Sequence, residues 1–167
     1  MKNPMGTGIV DGRSKDSKLK MHLRLDDQQN IEEASFETKR DRASDAPLSM
    51  ITCHIKGQAL SKVEAMSVEE LGAVYELFDE QVPMLIPAYE ALHAAIANIN
   101  GLPNPYAFEG GMVCTCLSVR EGRLRRAIRE RGLKTLKDVQ HWTRACTGCR
   151  SCRPEVERIL KDEQISV

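Results

Sequence analysis

The chain has 167 residues, enough for one ordinary domain or two small ones that each bury a core without disulfide staples. No apolar run approaches the about 20 residues a membrane-spanning helix needs, and the opening Met1-Lys2-Asn3-Pro4 starts no export signal, so a soluble, cytoplasmic chain with no membrane partner is expected. The formal charge of zero hides an asymmetry: residues 111–167 carry 13 Lys and Arg against 7 Asp and Glu, residues 1–110 carry 11 against 17, and two differently charged modules are expected.

Residues 1–17, rich in Gly, Lys, Asp and Ser, read as loop. Leu19, Met21, Leu23 and Leu25 alternate with Lys20, His22 and Arg24, the period of a half-buried strand. Asp26–Asn30 reads as a turn, and Ala34, Phe36 and Thr38 alternate with Ser35, Glu37 and Lys39 as a second strand, antiparallel to the first. After Pro47 a short helix carries Met50, Ile51 and Ile55 and stops at Gly57. Ser67-Val68-Glu69-Glu70 is a capping box, followed by Leu71, Val74, Tyr75 and Phe78 on one helical face. A further helix runs from about Pro87 to Ile99 with Leu92, Ala95, Ile96 and Ile99 inward and Gly101 beyond its end.

Residues 101–111 are too rich in Pro and Gly for regular structure and are expected to link a domain of residues 1–100 to one of residues 112–167. In the second, Leu124, Ala127 and Ile128 stripe a helix that ends at Gly132 and is ringed by Arg120, Arg123, Arg125, Arg126 and Arg129. Thr135 caps a helix with Leu136, Val139 and Trp142 or Thr143 inward, and Pro154 opens another with Val156, Ile159 and Leu160. The fold class is α+β: an antiparallel sheet with helices, then a small all-helical module.

Six cysteines stand at 53, 114, 116, 146, 149 and 152. Clustered thiols in a reducing compartment point to metal before disulfide. Cys114-Thr115-Cys116 and Cys149-Arg150-Ser151-Cys152 supply two thiolate pairs, together a complete four-thiolate site. The pair before Pro154 lies at a helix start, where unsatisfied N–H groups favour an anion. Four thiolates with two sulfides and two ferric ions sum to a charge of −2, which the arginine excess would stabilise. Structural zinc also suits four thiolates, and a redox disulfide at Cys149 and Cys152 is a third reading that leaves Cys114 and Cys116 idle. Cys146 reads as a plain small loop residue, with a reactive thiol beside the site as the alternative.

Val113-Cys-Thr-Cys116, Leu124-Arg-Arg-Ala-Ile128, Arg131-Gly-Leu133, Thr143-Arg-Ala145 and Cys149-Arg-Ser-Cys152-Arg-Pro-Glu-Val-Glu-Arg-Ile-Leu160 resemble the bacterioferritin-associated-ferredoxin-like (BFD-like) domain found centrally in NifU. That resemblance implies a permanent 2Fe-2S cluster held by Cys114, Cys116, Cys149 and Cys152 in a helix-turn-helix-like scaffold; those relatives usually carry a small residue at Cys146. Gly6-Thr-Gly-Ile-Val10, the strands through Leu25 and Ala34-Ser-Phe36-Glu-Thr38, Ile55-Lys-Gly57 and Ala94-Ala-Ile96 resemble the IscU-type scaffold domain that opens NifU. By the same alignment Lys15, Asp41 and Met84 replace that family's three cluster-binding cysteines, and Ser17 an accompanying Asp. Its Leu-Pro-Pro-Val-Lys motif is not recognisable near Val82-Pro83, and Cys53 stands at none of the three positions.

Lys, Asp and Met cannot replace three thiolates, so a first domain that builds no cluster is expected. The resemblance leaves it a docking surface for a partner such as a cysteine desulfurase or a redox protein, or a homodimer module; the carboxy-terminal Nfu-type domain is not expected in this sequence. The chain is expected to be no enzyme, with no catalytic residues, and to serve iron–sulfur cluster assembly through redox or electron-transfer support. The alternative is a cluster-bearing redox sensor or DNA-binding regulator using the arginine-rich helix, disfavoured because no aromatic residue interleaves the basic run.

His22, His54, His93 and His141 have no paired ligands in the pattern, and Cys53 reads as a buried structural thiol rather than a nucleophile served by His54. Gly6-Thr7-Gly8 lacks the strand, Lys and Ser/Thr of a phosphate loop.

Overall fold

The computed structural model describes residues 3–12, 17–39, 44–107 and 110–165. These fall into two compact units, described separately: residues 3–12 with Ser17–Ala107, and residues 110–165.

In the first unit, β1 (Gly6–Asp11), β2 (Lys18–Leu25) and β3 (Ile31–Lys39) form an antiparallel sheet in that order. β2 buries Leu19, Met21, Leu23 and Leu25 as its alternation requires. The Asp26 carboxylate closes the turn to β3, accepting from the backbone N–H of Gln28 (2.9 Å) and Asn30 (2.8 Å).

β1 corrects the expectation of a loop over residues 1–17. Its inward positions are Gly6, Gly8 and Val10, set opposite Leu23, Met21 and Leu19 of β2. A helix lies directly on those glycines: a Cβ on Gly8 would stand 2.1 Å from the Ala91 carbonyl oxygen, and one on Gly6 2.4 Å from Ile99 Cγ1. Glycine on the buried face erases the apolar alternation that announces a strand.

That helix is α4 (Ile86–Ile99), entered from a 3-10 turn at Val82–Leu85 and inward with Ala88, Ala91, Leu92, Ala95 and Ile96. Before it come α1 (Asp45–Ile55), α2 (Leu60–Glu64) and α3 (Val68–Val74). α1 buries Leu48, Ile51, Thr52 and Ile55, one stripe at helical spacing, which turns Cys53 outward. Cys53 is therefore exposed, not the buried thiol expected.

α3 starts at its capping box, with Ser67 N–H donating to Glu70 Oε2 at 2.7 Å and Glu70 N–H to Ser67 Oγ at 3.1 Å. It stops earlier than expected, because Glu76 turns left-handed and Leu77 N–H closes on the Gly72 carbonyl at 3.0 Å. Val74 and Phe78 consequently lie 50% and 74% exposed instead of facing the core.

In the second unit, β4 (Met112–Cys114) and β5 (Val119–Arg120) form a short ribbon across a 3-10 turn at Thr115–Leu117. The helices are α5 (Glu121–Arg131), α6 (Leu136–Thr143) and α7 (Arg153–Ile165). The helical module thus carries a two-stranded ribbon in addition. Leu124 and Ile128 of α5, Val139 of α6 and Val156, Ile159 and Leu160 of α7 form its core with Val119 and Leu133. Thr143 is buried on α6, while Trp142 is half-buried beneath the Arg131 guanidinium, 3.7 Å from the ring centroid.

Candidate metal centre

Two stretches of the second unit bring thiols to one place. Cys114 ends β4, and the 3-10 turn that follows carries Cys116 back over it, the two Sγ atoms 3.7 Å apart. The turn closes at Ser118, which is left-handed at φ 51°.

The loop from α6 to α7 holds the others. Arg144, Cys146 and Arg150 are all left-handed at φ 63°, a conformation costing about 1–2 kcal/mol for each residue that carries a Cβ. Local bonds hold it: Ala145 N–H donates to Thr143 Oγ1 (3.2 Å) and the Thr147 hydroxyl to the Arg144 carbonyl (2.8 Å). Cys149 Sγ comes within 3.6 Å of Cys116 Sγ, making a chain of three sulfurs across the two stretches. Cys152 stands at the N-terminus of α7, its carbonyl accepting from Val156 N–H at 3.0 Å, where the helix end favours a thiolate.

Cys152 shares an apolar cluster with Cys114 and Cys146, the three 7%, 1% and 1% exposed, whereas Cys116 and Cys149 are exposed. The centre has a buried side and an open edge. At the edge the Cys149 thiol is brought down to about 7 by its hydrogen bond with the Ser151 side chain, Sγ to Oγ 3.1 Å. Inside, burial first and the neighbouring Cys152 second push the Cys146 thiol up to about 12.

Cys146 Sγ lies 3.3 Å from Cys152 Sγ, so the fifth cysteine belongs to the thiol cluster. The spacing Cys146, Cys149, Cys152, one every third residue, is the sequence signal for it. Gly148 and Ser151 also escaped sequence reasoning. A Cβ on Gly148 would stand 3.2 Å from Cys116 Sγ and 3.9 Å from Leu117 Cδ1, so the loop leaves at that glycine the space beside a sulfur.

Soft thiolate donors and the space that Gly148 leaves beside Cys116 fit a sulfur-bridged iron cluster. Among the described residues no three His, Cys, Asp or Glu side chains are grouped so as to hold a single metal ion. His22 contacts Thr7 Oγ1 at 3.0 Å, while His54, His93 and His141 pack against Tyr75, Tyr89 and Trp142.

The arginines of α5 are partly committed within the unit. Arg125 pairs with Glu121 and Glu163, each at 2.8 Å, and Arg129 reaches Glu163 at 3.5 Å. In the first unit Ser17 is buried, its carbonyl accepting from Gly12 N–H at 3.0 Å, and Met84 is half-buried in the 3-10 turn. Lys15 and Asp41 lie outside the described residues.

The helical unit that carries the clustered thiols is matched over residues 112–162 by the model of the BFD-like [2Fe-2S] binding domain, which makes this an iron–sulfur protein. Its cofactor is a 2Fe-2S cluster. The model of the NifU-like N terminal domain matches residues 2–104, and the chain belongs to the NifU-like family.

Nitrogen fixation protein NifU of Trichormus azollae is 29% identical over 163 residues, covering 95% of this chain and 54% of that protein. NifU of Azospirillum brasilense is 32% identical over 152 residues, 86% of this chain and 48% of that one. The iron-sulfur cluster assembly scaffold protein IscU of Haemophilus influenzae is 31% identical over 94 residues, 56% of this chain and 75% of that protein. The chain spans about half the length of these NifU relatives. No helix among the described residues is long and apolar enough to cross a membrane.

Proposed function

We propose that the chain serves iron–sulfur cluster assembly, that Cys114, Cys116, Cys149 and Cys152 hold its 2Fe-2S cluster, and that this cluster passes single electrons to a partner. The observation that carries the reading is the run of sulfurs from Cys114 through Cys116 to Cys149, at 3.7 and 3.6 Å, with Cys152 in the same apolar cluster as Cys114. When bound, the cluster supplies a one-electron centre. The exposed Cys116–Cys149 edge is the side from which a redox partner can approach it, and the buried side keeps water from the other ligands.

The first unit, matched by the model of the NifU-like N terminal domain, serves as a docking module for a partner such as a cysteine desulfurase. It does not assemble clusters, because Lys15, Asp41 and Met84 supply no thiolate. The chain is a carrier and adaptor rather than a catalyst.

The test is the full chain purified anaerobically, read by visible absorption with iron and sulfide analysis. The wild type is expected to carry two irons and two sulfides, and Cys114→Ser to lose the chromophore. With desulfurase, cysteine and ferrous iron, Cys114→Ser is expected to bind the desulfurase yet regain no colour. A colourless wild type with one zinc and no sulfide overturns the cluster assignment, and a desulfurase that does not co-elute overturns the docking role.

A further inference from the structure

We propose that Cys146 is a reserve ligand of the cluster, taking over the corner held by Cys152 when that thiolate leaves iron. The inference rests on the four-cysteine assignment above. Cys146 and Cys152 lie 3.3 Å apart at sulfur, closer than either approach along Cys114, Cys116 and Cys149. A metal–thiolate bond is about 2.3 Å long, so two sulfurs at that separation are both within reach of one iron after a small loop adjustment.

Cys146 is placed for this by its surroundings. It is 1% exposed and shares with Cys114 and Cys152 an apolar cluster that shields a released iron corner from water. Its backbone is left-handed, and Gln140 Nε2 donates to its carbonyl at 3.4 Å, which ties this part of the loop to α6. Ala145, equally buried beside it, fills space without sulfur, so packing alone does not require a thiol at the next position.

The exchange balances without electrons. The iron–sulfur bond to Cys152 breaks and that sulfur takes a proton; the Cys146 thiol gives up a proton and forms the new bond. Cluster charge and oxidation state are unchanged.

The experiment uses the full chain, reconstituted anaerobically with ferric salt and sulfide, as wild type, Cys114→Ala, Cys152→Ala and the double variant Cys146→Ala/Cys152→Ala. Alanine avoids the oxygen ligand a serine would offer. Cys152→Ala is expected to retain most of the wild-type iron and sulfide with a shifted visible circular dichroism spectrum, and the double variant to lose both at least tenfold.

A Cys152→Ala protein that is folded by far-ultraviolet circular dichroism yet as empty as the double variant overturns the proposal. A second arm leaves all four assigned ligands in place: in Cys146→Ala a chelator should bleach the chromophore several-fold faster than in the wild type, and an unchanged rate overturns the proposal. A wild type without sulfide, or a Cys114→Ala chain with full colour, overturns the four-cysteine assignment itself.

Discussion

Gly8 and Ala91 meet with no room for a side chain: a Cβ built on Gly8 would lie 2.1 Å from the Ala91 carbonyl oxygen and 2.4 Å from the Ala95 nitrogen. Both obstacles belong to the backbone of α4, which cannot yield by a rotamer change. Gly8→Ala must therefore push helix and sheet apart, an overpacking cost of about 1–3 kcal/mol or more. A urea titration followed by far-ultraviolet circular dichroism should show that loss; an unchanged midpoint would mean that the helix does not sit on this strand.

Glu163 is 6% exposed on α7 and receives Arg125 Nη1 at 2.8 Å and Arg129 Nη1 at 3.5 Å from α5. Removing Arg125 leaves the buried Glu163 carboxylate on the longer Arg129 contact, whereas removing Glu163 leaves Arg125 still paired with Glu121. Glu163→Ala should cost about 1.5–3 kcal/mol, the range for hydrogen bonds to charged groups. A double-mutant cycle with Arg125→Ala should return a coupling of about 0.5–3 kcal/mol. Simple additivity would place the α5–α7 tie elsewhere.

The ring of His93 packs against Tyr89 with centroids 4.2 Å apart and planes tilted by 42°, and its buried Nε2 has no hydrogen-bond partner among the described residues. Burial pushes its pKa below the ordinary 6.5. Below pH 6.5 the unfolded chain binds a proton that the folded chain resists, so this contribution to stability is complete above that pH and declines as pH falls toward the folded value. Urea midpoints at about pH 7.5 and 5.5 should therefore differ in that direction, and His93→Phe should flatten the difference. A variant that keeps the wild-type slope would assign the titration to another group.

What could be read in advance follows from which residues carry the signal. β2 and α4 were legible because large apolar side chains mark their buried faces, and the thiol stretches because cysteine is scarce. β1 was hidden because Gly6 and Gly8 hold its inward positions, and β4 and β5 because three and two residues are too few to show a period. The outward turn of Cys53 was present in the spacing of Leu48, Ile51 and Ile55, which outweighs the apolar preference of a single thiol. The approach of Cys146 to Cys152 depends on a loop with three left-handed residues that are not glycine, a geometry propensity does not foretell.

Gly148 and Gly132 separate a role at the thiols from a role in the backbone. A Cβ at Gly148 would meet Cys116 Sγ at 3.2 Å, while Gly132, left-handed at φ 59° where α5 ends, has no neighbouring atom within 4 Å. Ligands must be held to about 0.5 Å, and relieving the Gly148 contact displaces the Cys116 sulfur by a comparable amount. Gly148→Ala should therefore lower iron per chain measurably, and Gly148→Val, with two more methyl groups, should lower it further, both with an unchanged far-ultraviolet spectrum. Gly132→Ala should do the reverse, costing about 1–2 kcal/mol of stability through its strained backbone while leaving iron content at the wild-type level. Full iron content in Gly148→Val would mean that the loop does not press on Cys116.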